Sequence, residues 1–273
     1  MDDRTCGLST RATRRAAVVW TDLRAVYAQD RRLVVSTVLG LGIVALCGAL
    51  IAQLMDEVSE ADDLTRFDQR VLDAVVEHRS AWWDAIARNV THLGDPWLVT
   101  AVVAVVAVAL AARRRYHLAA FVVLASGGAA VVSSVTKQVF DRARPPTSLW
   151  LGTAWGPSFP SGHATQSIAC WGAVAVVACV LVHSRVLRAA IIASAACTAL
   201  AIGATRVYLA VHWASDVVCG WAISLMWLTA LLLAGWATPR ARGAWSGARA
   251  MDPGEVEDGA PEATLDAEGA AAS

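Results

Sequence analysis

The sequence predicts an all-α fold, a polytopic membrane helix bundle with about six transmembrane helices. Three observations carry that prediction. Hydrophobic residues make up 56% of the 273, and mean hydropathy is +0.49, more apolar than a soluble domain of this length. Those residues gather into runs of about 16–24, the length that crosses a hydrocarbon core. Short Arg-bearing loops separate several of the runs, a pattern of loops held on one side of a bilayer. The formal net charge is zero, so no global basic field recommends nucleic acid as a partner.

Taken in order, residues 1–32 form an Arg-rich segment with no chemistry that can be named. Leu33–Met55 is a first span, too long for a signal-peptide core and so expected to remain uncleaved. Between Asp56 and Asp95, an amphipathic pattern through Val71, Leu72, Val75, Trp82, Trp83 and Ile86 predicts one short interfacial helix. Pro96–Ala112 and His117–Thr136 are the second and third spans, and a polar loop covers Lys137–His163. Ala164–Val182, Ala189–Ala204 and Trp213–Trp236 complete the set, with a short loop reaching His212. Residues 33–237 thus make one transmembrane domain. Residues 238–273 make a tail whose part from 252 carries seven acids and no base, a composition expected to be disordered.

Arginine placement orients the bundle in a cell membrane. The N-terminal segment, 113–115, 183–188 and the start of the C-terminal tail carry Arg, so they are expected in the cytoplasm with both termini. Loops 56–95, 137–163 and 205–212 then lie on the extracytoplasmic side. Trp97, Trp150, Trp155, Trp213 and Trp236 fall near span ends, as an aromatic belt does. The heavy use of Ala, Val and Arg is that of a GC-rich bacterial gene.

Three polar clusters interrupt the apolar pattern, each in an outer loop or at the outer edge of a span. The first holds Lys137, Arg144 and Pro145. Lys137 is the only lysine among 23 basic residues, so a generic boundary cation does not explain it. Lys137 and Arg144 are seven apart and share a face if the helix continues. Alternatively the chain folds back at Arg144-Pro145-Pro146. In either case an Arg fork and a Lys point charge suit one phosphate.

The second cluster is Pro160-Ser161-Gly162-His163, a sharp turn that opens an apolar run. Such a turn leaves backbone N–H groups unpaired and seats an anion. Gly162 admits a close backbone approach, and His163 can pass a proton near neutral pH. The third cluster is Arg206, His212 and Asp216. His212 and Asp216 are four apart and stack on one helical face. A carboxylate there accepts the Nδ1 proton and leaves Nε2 free as a nucleophile. An acid one turn inside an apolar run also needs a partner, and His212 is the nearest. Spacing alone does not say which histidine attacks; the pairing with Asp216 favours His212.

Together these residues supply three cations, a nest of backbone N–H groups, two histidines and one carboxylate, an inventory suited to a phosphoryl group. Asp216 is taken by His212, and the other outer acids, in 56–95, join no cluster with the cations. No metal and no cofactor are therefore expected. His78, His92 and His117 read as interface residues, and Asn89-Val90-Thr91 as a chance sequon. The six cysteines read as small hydrophobes, because no Cys-x-x-Cys or zinc spacing occurs.

Lys137-x6-Arg144-Pro145, then Pro160-Ser161-Gly162-His163, then Arg206-x5-His212-x3-Asp216 resembles the three-part signature of the type 2 phosphatidic acid phosphatase superfamily, across roughly 94–236. That superfamily includes lipid phosphate phosphatases, undecaprenyl-diphosphatases and soluble vanadium haloperoxidases. The resemblance implies a helical core and a metal-independent phosphatase acting on a phosphate monoester or diphosphate of a membrane lipid. It implies that His212 attacks phosphorus and becomes a phosphohistidine, that Asp216 orients it, and that His163 protonates the leaving oxygen. Lys137, Arg144, Arg206, Ser161 and Gly162 would hold the phosphoryl oxygens. Thr205 stands where the family usually has Ser, and keeps the hydroxyl. Two rivals are weighed. A vanadate-dependent haloperoxidase-like enzyme would use the same pocket, but those relatives are soluble. A lipid or ion transporter would need charges buried mid-span, whereas these lie at span ends.

Overall fold

The computed structural model describes Arg31, residues 33–58 and residues 63–237. The Arg-rich segment up to residue 30 and the acidic tail from 238 lie outside the described residues, as do the expectations made for them. The described chain is helical, and no strand occurs in it. Five helices are long and apolar enough to cross a membrane, or six when a bent pair is counted as one span. The protein is a multi-pass membrane helix bundle, as its hydropathy predicts.

Helix α1 spans Leu33–Val58. The single interfacial helix expected next is two: α2, Asp63–Glu77, and α3, Ala81–Thr91. The break falls at His78–Ser80, where the Ser80 hydroxyl accepts from the Trp83 N–H and caps α3. A short 3-10 turn, His92–Gly94, leads to α4, Pro96–Ala112, which matches the predicted second span. The axes on either side of Asp95 are bent by 46°. Pro96 causes the break: it sits at the first helical position and drives Asp95 out of the helical region, to φ −63°, ψ 138°.

Helix α5, Tyr116–Phe140, runs one turn past the predicted third span and carries Lys137 within it. The helix stops where Asp141 takes a left-handed conformation, φ 35°, ψ 38°. Lys137 and Arg144 are therefore not on one helical face; the chain folds back, the second of the two arrangements considered. Helix α6, Gly162–Gln166, passes through a π turn at Ser167–Gly172 into α7, Ala173–Leu181, and these together form one span. Helix α8, Arg185–Tyr208, is longer than the predicted fifth span and so includes Arg206. Helix α9, Ala214–Ala237, closes the bundle.

Helix α9 is the central element. Its Cys219, Ala222 and Ile223 pack with Cys47, Ile51 and Leu54 of α1 and with Phe159 from the loop before α6. Further along, Leu228 packs with Val122 and Ala125 of α5 and Ala173 and Val177 of α7. Large apolar side chains such as Val105, Val131, Val139 and Ile192 remain exposed on the spans, where lipid is their solvent. The fold then places five helix ends together at one end of the bundle: the starts of α4, α6 and α9 and the ends of α5 and α8.

Candidate active site

A cavity of about 660 Å³ lies among these helix ends, lined also by the end of α3 and by loop residues 152–155. Lys137, Arg144, Gly162, His163, Arg206 and His212 all line it. Residues separated by up to 75 positions in the chain thus line one cavity, because each lies at one of these helix ends or in a loop next to one.

His212 lies in the loop between α8 and α9 and is buried. Its Nδ1 is 3.3 Å from Asp216 Oδ2, and its Nε2 accepts from Arg144 Nη1 at 3.0 Å. Burial, together with the positive field of Arg144 and Arg206, outweighs the pull of Asp216 and drives the imidazole pKa down to about 3. The ring is neutral near pH 7, with its Nδ1 proton toward Asp216 and its Nε2 lone pair facing the guanidinium.

Asp216 is fully buried and has more partners than His212 alone. Its Oδ2 accepts from the Ser158 hydroxyl and from the Trp213 N–H at 2.9 Å. Its Oδ1 accepts from Arg142 Nη1 at 2.7 Å. The charge partner that an acid at this depth requires is therefore Arg142, a residue the sequence reading left unassigned. Arg142 in turn donates through Nη2 to Asp68 Oδ2 at 2.8 Å. Asp68 is 1% exposed and also accepts from the Ser215 N–H at 2.9 Å and the Ser215 hydroxyl. An acid of α2 is thus tied to the first turn of α9.

Each of the three cations is held by carbonyl or hydroxyl oxygens. Lys137 Nζ donates to Pro157 O at 2.7 Å. Arg144 spreads over Trp155 O, Gly156 O, Pro157 O and Val211 O as well as His212. Arg206 is buried and donates to Thr91 Oγ1 at 2.8 Å, while its Nε is a buried donor with no partner among the described residues. A row of donors fixed in this way around one cavity is suited to an anion with several equivalent oxygens.

The Ser161 hydroxyl is turned to another use. It is buried, accepts from the Ala164 N–H and caps α6, while its backbone N–H donates to Asp216 O at 2.9 Å. Gly162 is the member of that turn that faces the cavity. A Cβ added there would meet nothing within 4 Å, so it would project into open space that a ligand would otherwise approach. The Thr205 hydroxyl bonds back to Ile202 O at 2.6 Å within its own helix.

On the other side of the cavity, His163 Nε2 donates to Asp95 Oδ1 at 3.0 Å, and His92 Nδ1 donates to Asp95 Oδ2 at 2.8 Å. Gly94 makes this possible. A Cβ at position 94 would lie 3.0 Å from His163 Cδ2 and 2.7 Å from Ile202 Cγ2. One expectation is corrected here: of the acids of 56–95, Asp95 lines the cavity with the cations, and Asp68 pairs with Arg142 behind it. His92 also lines the cavity. Asp68 had a legible signal: it sits in the apolar stripe Leu64, Val71, Leu72, Val75 of an amphipathic helix, where a lone acid demands a partner. Asp95 had none beyond its position before Pro96.

Comparison with known proteins places this geometry. Residues 116–240 match the sequence model of the PAP2 superfamily. Phosphatidylglycerophosphatase B of Bacillus subtilis (strain 168) is 27% identical over 162 residues, covering 58% of this chain and 78% of that protein. The crystal structure of the transmembrane PAP2 type phosphatidylglycerolphosphate phosphatase from Bacillus subtilis superposes with a TM-score of 0.62 at 21% identity. It covers 71% of this chain and 94% of that one. LpxE of Aquifex aeolicus is more distant in shape, with a TM-score of 0.48 at 22% identity over 60% of this chain and 93% of its own. With its three motifs gathered at one end of a bundle of this shape, the chain is similar to the PAP2 superfamily over residues 116–240.

Proposed function

We propose that this protein is an integral-membrane phosphatase that hydrolyses a phosphate monoester or diphosphate of a membrane lipid, through a phosphohistidine and without a metal ion. The observation that supports it most directly is that Lys137, Arg144 and Arg206 line one cavity with both His163 and His212. Three cations offset the charge on the equatorial oxygens of a phosphoryl group in transfer. The buried Nε of Arg206 is a donor for one of those oxygens.

In this reading the arriving phosphate takes over the Arg144 guanidinium and frees the Nε2 lone pair of His212. That nitrogen attacks phosphorus while the bond to the lipid oxygen breaks, and His163 delivers a proton to the departing oxygen. Water then attacks the phosphohistidine, giving a proton to His163 as the P–N bond breaks. Asp216 holds the Nδ1 proton of His212 throughout, and Arg142 and Asp68 hold Asp216.

A second cavity of about 450 Å³ adjoins the first at Pro96, Lys137, Gly162 and His163 and runs between α4, α5 and α6. Its walls include Val99, Val103 and Val123, with small residues between them. Since His163 belongs to both cavities and His212 only to the first, the leaving group belongs in the second, among spanning helices. That favours a lipid alcohol. Phosphatidic acid, polyprenyl diphosphate and, from the names of the relatives, phosphatidylglycerophosphate are the substrate types that fit. Arginine placement supports a site on the extracytoplasmic face.

Release of inorganic phosphate by the purified protein from a panel of these lipids tests the reading. His212→Ala is expected to abolish release, and a chelator is expected to leave the wild-type rate intact. Full activity in the variant rejects the nucleophile, and strict dependence on added magnesium rejects the metal-free site.

A further inference from the structure

Asp95 is an acid in a cavity that otherwise collects cations. It shares the lining with Arg88, Lys137, Arg144 and Arg206. A carboxylate there repels the phosphate that the cations attract, so its presence calls for a role that offsets the repulsion. Both of its oxygens are occupied by imidazoles: Oδ1 by His163 Nε2 at 3.0 Å and Oδ2 by His92 Nδ1 at 2.8 Å, with Trp97 Nε1 at 3.2 Å. Burial pushes the Asp95 carboxyl up, but the hydrogen bonds from His92 and His163 outweigh it and hold the group below the ordinary carboxylate range. Asp95 is therefore an anion at neutral pH, pressed against His163.

We propose that Asp95 is the positioning carboxylate of His163, doing for the proton donor what Asp216 does for His212. The inference rests on the phosphatase reading above. Asp95 lies outside residues 116–240, the part of the chain that matches the family, so the match does not assign it. With Nε2–H held on Asp95, the proton that His163 can give away is the one on Nδ1. That proton passes to the leaving oxygen as the P–O bond breaks and the bond to His212 Nε2 forms. His163 is left neutral, with Nε2–H still on Asp95. In the second half of the reaction, water returns a proton to Nδ1 as its oxygen joins phosphorus and the P–N bond to His212 Nε2 breaks. Asp95 stabilises the doubly protonated ring in the first step and fixes its orientation in both.

The test compares two leaving groups. A lipid alkoxide needs a proton to depart, whereas 4-nitrophenolate does not. Asp95→Asn is expected to lower turnover of dioctanoyl phosphatidic acid about 10- to 100-fold, a share of what general acid catalysis supplies. On 4-nitrophenyl phosphate, kcat/KM, which stops at formation of the phosphohistidine and leaves out the water step that the two substrates share, should fall less than about threefold. Inorganic phosphate should inhibit the variant more tightly than the wild type, because a negative charge has left the pocket. Asp95→Ser reads the same signature should the Asn variant fail to accumulate, and Asp95→Glu, which keeps the charge, should retain the wild-type ratio of the two substrates. Equal loss on both substrates, no loss on either, or weaker phosphate inhibition overturns this inference alone. A wild-type protein inert on both substrates overturns the phosphatase reading and this inference together.

Discussion

At the scale of single residues, the site is organised around two buried carboxylates on one arginine. Arg142 spans Asp216 at 2.7 Å and Asp68 at 2.8 Å, and neither acid has more than 1% of its side chain exposed. One guanidinium between two carboxylates leaves a net negative charge that the Ser158 and Ser215 hydroxyls and the Trp213 and Ser215 N–H groups share. Removing a partner from such a network leaves a buried group uncompensated. Arg142→Ala, which strands both acids, is expected to cost about 3–5 kcal/mol, and Asp68→Asn about 1–3 kcal/mol, since Asn keeps an acceptor. Thermal unfolding in detergent should rank the two in that order. Asp68→Asn should also lower lipid phosphate turnover, because Asp216 loses the support behind Arg142. A stable, fully active Arg142→Ala protein would show that the network does not hold the site.

At the scale of elements, what matters is how closely α4, α6 and α8 meet. The bend at Asp95 brings Gly94 against His163 of α6 and Ile202 of α8. A methyl group at position 94 would sit 2.7 Å from Ile202 Cγ2, too close for either helix to ignore. Gly94→Ala is expected to destabilise the protein by about 1–3 kcal/mol, as overpacking does, and to displace the His163 ring. The turnover number should fall more than the Michaelis constant rises, since the cations that hold phosphate lie on other elements. Steady-state kinetics beside a thermal melt separates the two effects. The surface helix α2 carries the same lesson. Its amphipathic pattern foretold a helix, but its buried Asp68 makes it part of the site's foundation and not only an interfacial element.

At the scale of the whole molecule, two groups of cations among the described residues mark opposite ends. Lys137, Arg144 and Arg206 gather at the cavity end, while Arg113–Arg115 and Arg185–Arg188 mark the other. The second group fits the positive-inside rule, and the first is accounted for by the cavity. Single cysteines read this orientation directly. Trp155→Cys, at a position 85% exposed beside the cavity, is expected to react with a membrane-impermeant thiol reagent in intact cells. Arg114→Cys, in the turn between α4 and α5, should react only after permeabilisation. The reverse pattern would place the cavity in the cytoplasm and limit its substrates to that leaflet.

What the sequence determined by itself was the solvent, the helical class, the spans to within a turn, and the three motifs that meet at the cavity. These follow from local patterns: run length, Arg placement, and the spacing of His212 and Asp216. Only the tertiary structure decided where Asp68, Asp95, His92 and Arg142 belong. Apart from the contacts of Asp95 with His92 and Trp97, none of the four lies within a helical turn of its partners. A charge's partner is set by which helix ends converge in space. Periodicity along the chain records which face of a helix is buried, but not what is buried against it.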